Sequence, residues 1–261
     1  VALSAVGSAA PDGAAIMRKA VDVMSKAKTY QAQWTMVVSM GNMGSLTMNM
    51  DMKTTSDGKA RITTQPTGQA TGMMAAGGGM AASLAVSDGK TLYMYMKAMN
   101  MYMKMPVTKG RNPAFTGQLG ALNDKNTTYK LIGTEFVRGR KCWVVSVNQK
   151  MPPNAGPGSK ATVHAYVDQQ TGRLRQMKSK ITMPGMGGGP GTPNGQSQST
   201  PMVMTTTMVL VSDKLNAPIP ASTFKFTPPK GAREMQPGMM GGMGGLGQLG
   251  VGPMSGPPAR P

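Results

Sequence analysis

The strongest constraint on this chain is a two-residue rhythm of methionine. Leu46, Met48, Met50 and Met52 share one parity, and Thr47, Asn49, Asp51 and Lys53 hold the other. Alternate side chains of an extended chain point to opposite faces, so this rhythm predicts a β-strand with one apolar and one polar face. The same rhythm returns at Met36, Val38 and Met40, at Leu92, Met94 and Met96, and at Met99, Met101, Met103 and Met105. It returns once more at Met202, Met204, Thr206, Met208 and Leu210. The change of parity near Lys97 and Ala98 predicts a turn or a bulge.

Turn signals separate these runs. Gly41-Asn42-Met43-Gly44 predicts a hairpin between the first two strands. Ser56-Asp57-Gly58-Lys59 recurs as Ser87-Asp88-Gly89-Lys90. Asp-Gly between strand-like runs predicts a two-residue hairpin in which both central residues take positive φ. Residues 128–137 and 141–149 read as a hairpin around Arg138-Gly139. Residues 160–168 and 173–183 read as another, around Gln169-Gln170-Thr171-Gly172. A last short strand is expected at 223–227, stopped by Pro228-Pro229.

One helix is expected, from the N-cap Asp12 to about Lys28. Ile16, Met17, Ala20, Val21, Met24 and Ala27 fall on one face, and Arg18, Lys19, Asp22 and Lys26 on the other. One helix followed by one-sided strands predicts a mainly β, α+β chain. A single curved antiparallel sheet or half-barrel of about 9–11 strands, wrapped around the N-terminal helix, satisfies the pattern. The expected organisation is an apolar extension at 1–13 and a body at 14–234. Glycine-rich insertions at 67–82 and 184–201 interrupt the body, and a Gly/Met/Pro-rich tail follows at 235–261. The small apolar residues at 1–10 read as the remnant of an export signal or a processed terminus, which predicts an exported, extracellular or periplasmic protein.

Composition removes most chemistry. The chain has 261 residues, 29 of them Met, with 1 His and 1 Cys. A nucleophile–histidine triad could use only His164, a zinc site of Cys and His ligands cannot be assembled, and no disulfide can form within the chain. No run of 18 apolar residues spans a membrane. His164 reads as a surface or structural histidine and Cys142 as a small buried hydrophobe. Asn126-Thr127-Thr128 matches a glycosylation acceptor, a pattern common by chance. No enzyme activity and no cofactor is expected. Lys plus Arg is 28 against 10 Asp plus Glu, a net charge of +18. With 5% aromatic residues for stacking, that excess points to an anionic envelope surface rather than to nucleic acid.

The order of the pieces resembles the outer-membrane lipoprotein carriers of the LolA/LolB-like superfamily and their relatives among sigma-factor regulatory proteins. A helix runs directly into Lys28-Thr29-Tyr30-Gln31-Ala32. Val86-Ser87-Asp88-Gly89-Lys90-Thr91-Leu92-Tyr93-Met94-Tyr95 is similar to the family's Ser-Asp-Gly strand pair. Tyr166-Val167-Asp168-Gln169-Gln170-Thr171-Gly172-Arg173 resembles its Thr-Gly hairpin. Phe224-Lys225-Phe226-Thr227-Pro228-Pro229-Lys230-Gly231-Ala232 resembles its closing strand. The resemblance covers about residues 14–233. It implies an eleven-stranded half-barrel with helices as a lid and an apolar cavity that binds acyl chains.

The candidate apolar cavity or groove is formed by Met36, Val38, Met40, Leu46, Met48, Met50, Met52, Met94, Met96, Met99, Met101, Met103, Met202, Met204 and Met208. The leading expectation is a LolA-like structural subunit that polymerises with itself into an extracellular filament, its terminal segments docking on a neighbour's Met-lined surface. The alternative is a periplasmic carrier of lipid or lipoprotein whose Met-lined cavity holds acyl chains. A minor alternative is Cu(I) binding by thioethers, which would need methionines from neighbouring strands.

Overall fold

The computed structural model describes residues 11–41, 44–68, 83–107, 127–149, 159–183 and 201–235. Among these residues the one α-helix, α1, spans Gly13–Ser25, and Asp12 caps it by accepting from the Ala14 amide at 3.3 Å. The helix thus takes in Gly13, which the expected boundaries place in the extension. It also stops before Lys28. There the Lys28 amide donates to the Asn216 side-chain oxygen and the Asn216 amide donates to the Thr29 carbonyl, both at 2.8 Å. Those bonds pull the chain into an extended conformation before another helical turn can close.

Twelve strands follow. They are β1 (Thr29–Ser39), β2 (Ser45–Thr55), β3 (Lys59–Pro66), β4 (Ser83–Asp88), β5 (Thr91–Met96) and β6 (Met101–Pro106), then β7 (Thr127–Val137), β8 (Arg140–Gln149), β9 (Lys160–Asp168), β10 (Leu174–Met183), β11 (Met202–Leu215) and β12 (Arg233–Glu234). All join one sheet in the order β12-β6-β5-β4-β3-β2-β1-β11-β10-β9-β8-β7. The sheet is antiparallel throughout, except that β12 pairs parallel with β6. Two meanders, β1 to β6 and β7 to β11, are therefore joined by one long-range ladder between β1 and β11. The sheet is curved and mostly β in content. No described helix is long and apolar enough to cross a membrane.

The two ends of the chain cross over. Helix α1, which precedes the first meander, packs on β7, β8 and β9 of the second. The segment after β11 returns to the first meander, where the 3₁₀ turn Ala221–Phe224 contacts β3 and β4. This segment is not the strand expected at 223–227: Phe224 is buried and Phe226 stacks on Tyr93 at 5.0 Å between ring centroids. The short β12 follows and seals the β6 edge. The helix consequently lies on one end of the sheet, and the sheet does not wrap it symmetrically.

Turn chemistry departs from expectation in a regular way. At both Asp-Gly turns only the glycine has positive φ, +87° at Gly58 and +92° at Gly89. The aspartates stay in ordinary backbone space and accept hydrogen bonds instead, Asp57 from the Thr55 hydroxyl and the Lys59 ammonium. Asp88 accepts from the amides of Lys90 and Thr91, each at 2.8 Å. The turn with both central residues at positive φ is Arg138-Gly139, at +47° and +76°. Met99 lies in the 3₁₀ turn Lys97–Met99 rather than in a strand, and Asn100 in the left-handed region reverses the chain into β6.

Gly13 marks where helix and sheet touch. A Cβ there would stand 2.8 Å from the Leu131 backbone nitrogen. Gly to Ala in a helix ordinarily gains stability. Here Gly13→Ala is expected to lose about 1 to 3 kcal/mol, because the helix must lift from β7. Urea denaturation checks the sign.

The Asn126 acceptor, residues 1–10 and 236–261, and most of the 67–82 and 184–201 insertions lie outside the described residues.

Candidate functional site

The strand registers place the sequence-predicted methionines on one face, the one that carries α1. Met48, Met36, Met208 and Met177 stand directly opposite one another across β2, β1, β11 and β10. This row spans about 14 Å, three strand spacings. A second row runs Leu210, Trp34, Met50, Thr64, Ser83, Met96 and Met101. Its two hydroxyls satisfy each other, with the Thr64 and Ser83 oxygens 2.6 Å apart. A third row runs Ala32, Met52, Ile62, Ala85, Met94 and Met103.

The methionines divide by depth. Met52 and Met103 are 3% and 4% exposed, whereas Met36, Met50, Met94, Met96 and Met101 are half-buried. Val38, Leu46, Met48 and Met204 form one buried cluster, with Met36, Met40 and Ile181 packed against it. A larger cluster runs from Ile16, Met17 and Ala20 of α1 to Trp34, Met52, Val145 and Leu210. Met202, opposite Met183 on β10, keeps the same parity as Met204. Of the fifteen candidates, Met99 alone is placed off this face, in the turn. Met177 was missed by sequence reasoning because Leu174 and Met177 break the two-residue rhythm.

That break is a bulge. The β9–β10 register skips Arg175 and the β1–β11 register skips Val211. Past Val211 the parity of β11 inverts, so Asp213 stands opposite Ala32 on the helix side. There it accepts from Arg173 at 3.1 Å and lies 3.8 Å from Arg175. Arg175 Nε also donates to Asp168 at 3.1 Å. Asp168, 1% exposed, accepts from the Gln170 and Thr171 amides at 2.9 Å each. Burial raises the Asp168 pKa, but the Thr171 and Gln170 amides and Arg175 outweigh it and hold the carboxyl below its ordinary 3.8. Burial, then the Asp213 charge, pushes the nearby Tyr30 hydroxyl well above its ordinary range. The Arg173–Asp213 pair closes one end of an otherwise apolar face, and Arg175 reaches from it to Asp168, which stands opposite Cys142.

Two further groups have clear chemical states. Cys142 is fully buried, and burial followed by the Asp168 charge pushes its thiol up to about 11. It is neutral at physiological pH and is no nucleophile. The Trp34 indole N–H, 2% exposed in the apolar row, has no hydrogen-bond partner among the described residues. No cluster of three His, Cys, Asp or Glu able to hold a metal occurs among the described residues. On the opposite face a polar groove of about 300 Å³ is lined by Gln31, Gln33, Asp51, Lys53, Ser212 and Lys214, among others. Its lining suits water, not hydrocarbon.

No protein-family model matches the chain. It is 30% identical over 162 residues to an uncharacterized protein of Methanocaldococcus jannaschii, a stretch covering 60% of this chain and 39% of that protein. Among solved structures, an uncharacterized conserved protein of Thermus thermophilus aligns with 84% of this chain and 96% of its own, at TM-score 0.46 and 11% identity. The lipoprotein LppX of Mycobacterium tuberculosis aligns over 80% and 97%, at TM-score 0.43 and 10% identity. A LolA-superfamily protein of Nitrosomonas europaea aligns over 83% and 99%, at TM-score 0.36 and 12% identity. By its own element order, one N-terminal helix on a single curved antiparallel sheet, the chain has the mainly β, single-sheet architecture expected from its sequence.

Proposed function

We propose that the chain is a carrier of acyl chains or lipidated protein, working outside the cytoplasm, and that the Met-lined face holds the cargo. The observation that carries this reading is the Met48–Met36–Met208–Met177 row with its two flanking rows. Methionine is apolar, unbranched and polarizable, and adapts to a ligand of variable shape. Each methylene transferred from water to such a face contributes about 0.8 kcal/mol. Ten methylenes therefore supply about 8 kcal/mol, enough for micromolar affinity before ordering costs. The unpartnered Trp34 N–H is a donor for an ester or carboxyl oxygen at the head of the chain. The resemblance to exported lipoprotein carriers points the same way. The filament reading rests on terminal segments at 1–10 and 236–261, outside the described residues, so no described contact favours it.

The chain's 2 tryptophans, Trp34 and Trp143, both lie on the helix side, where Trp143 stands opposite Val167. Their fluorescence therefore reports on this face. Brominated fatty acid is expected to quench it in a saturable way, and native mass spectrometry is expected to find acyl chains on freshly isolated protein. Met36→Lys puts a charge in the central row and should weaken binding more than 10-fold. Met36→Leu and Thr35→Lys, the latter on the opposite parity, should leave it within about 3-fold. No saturable quenching and no bound acyl chain would overturn the carrier reading.

A further inference from the structure

The face turned away from the helix carries a different chemistry. Across β7 to β10, Lys130, Ser146, His164 and Lys178 stand opposite one another in one row. Lys180 follows two residues beyond Lys178, and Lys160 lies opposite Thr182 in the adjacent strand. Lys178 and Lys180, and Lys180 and Lys160, are about 7 to 8 Å apart, and Lys130 stands about 14 Å from Lys178 at the other end of the row. All four lysines are exposed, and none takes part in an ion pair among the described residues. The carboxylates next along this part of the sheet are Glu135 and Asp168, both level with Cys142. They are about 13 Å along the strand from Ser146; Glu135 acts electrostatically on Lys178 at that end of the array, and Asp168 is committed to Arg175.

We infer that this lysine array docks the protein on an anionic lipid surface. A planar spread of ammonium groups outside any described salt bridge, with Lys178 alone seated on the Tyr166 ring, is complementary to a sheet of phosphate headgroups. A second copy of this strongly basic chain would be repelled. A nucleic acid would look for exposed rings to stack on. The ring in this array, Tyr166, is 2% exposed and lies under the Lys178 ammonium at 4.9 Å. The apolar face and the basic face are thus the two sides of one sheet, so a docked protein keeps its cargo face off the headgroups.

The test is sedimentation with vesicles of phosphatidylcholine, with and without phosphatidylglycerol, at several salt concentrations. Binding is expected only with phosphatidylglycerol and is expected to fall as salt rises. Each lysine at an anionic surface is worth roughly a factor of five. The triple variant Lys130→Gln, Lys160→Gln, Lys180→Gln should therefore lose roughly 100-fold. A charge-matched control, Lys90→Gln, Lys97→Gln, Lys230→Gln, should lose less than about 3-fold, with unchanged melting for both. Equal losses would assign the effect to net charge and overturn the array. So would an absence of phosphatidylglycerol binding, or tighter array-dependent binding to duplex DNA than to vesicles. Vesicle binding is read without cargo, so its failure leaves the carrier reading standing, and failure of the carrier reading leaves the array standing.

Discussion

Asp168→Ala is expected to destabilise the fold by about 3 to 5 kcal/mol. The carboxylate is 1% exposed and satisfies three donors at once, the amides of Gln170 and Thr171 and the Arg175 guanidinium. Its removal leaves Arg175 largely buried with the 3.8 Å approach to Asp213 as its remaining ion pair. It also strands two amides at the β9–β10 turn. A chain of this size shifts its melting temperature by about 2 to 4 °C per kcal/mol, so a fall of roughly 10 °C follows. The pH dependence has a definite sign. The folded carboxyl ionises below its unfolded value of 3.8. Its contribution is therefore fully present above that value and is lost as pH falls through the folded one. Wild type should lose stability in acid below about pH 4, and Asp168→Asn should start lower and show a shallower acid slope. A variant as stable as wild type at neutral pH would show the ionic cluster to be dispensable.

The double variant Met52→Ala, Met103→Ala should cost more still, about 4 to 10 kcal/mol, since a buried Met to Ala change costs about 2 to 5 each. Both are almost fully buried, in one row but four strands apart, about 19 Å. At that separation the two losses add. The leucine pair, Met101→Leu with Met103→Leu, keeps volume and apolarity and should cost under about 1.5 kcal/mol per site. Mild peroxide should act like the alanines wherever it reaches sulfur, because a sulfoxide is polar. Chemical denaturation of wild type, both double variants and the oxidised protein reads all of this. A copper site makes the opposite forecast for leucine, since the thioether ligands are gone. Tight Cu(I) binding by wild type that the Met101/Met103 leucine pair abolishes would assign this part of the face to metal.

The facing of the alternating methionines was legible because strand alternation is a local property of the chain. Met48, Met50 and Met52 land where the rhythm puts them, and so do Met94, Met101 and Met103. Bulges erase that legibility. One extra residue at Arg175 or Val211 inverts the phase, and no local signal separates Met177 and Asp213 from outward-facing positions. The Asp-Gly turns were placed correctly with the wrong geometry, because side-chain capping by Asp88 competes with the two-positive-φ turn. The 223–227 segment alternates like a strand, yet its Phe226 ring packs on Tyr93 and Tyr102 and the segment joins no ladder. The 2-residue β12 is set by its long-range partner β6 and leaves no pattern of its own. The basic array was invisible for the same reason: Lys130 and Lys178 are far apart in sequence and are brought into one row by three ladders.

The exchanged ends have a kinetic consequence. Within each meander every ladder joins strands adjacent in sequence, so even the β3–β4 and β10–β11 pairs, which close over the 67–82 and 184–201 insertions, form by much shorter loop closures than the ladder between the meanders. The β1–β11 ladder joins residues nearly the whole body apart, with Tyr30 opposite Leu215, and is the slow step. Neither meander is finished before that step. The second lacks the helix that lies on β7 to β9, and the first lacks the 3₁₀ turn and β12 that cover its outer side and edge. Each half thus withholds from the other the piece that would let it stand alone. Folding of the body is accordingly all-or-none, and a break between β6 and β7 leaves two fragments that complete one another only in association.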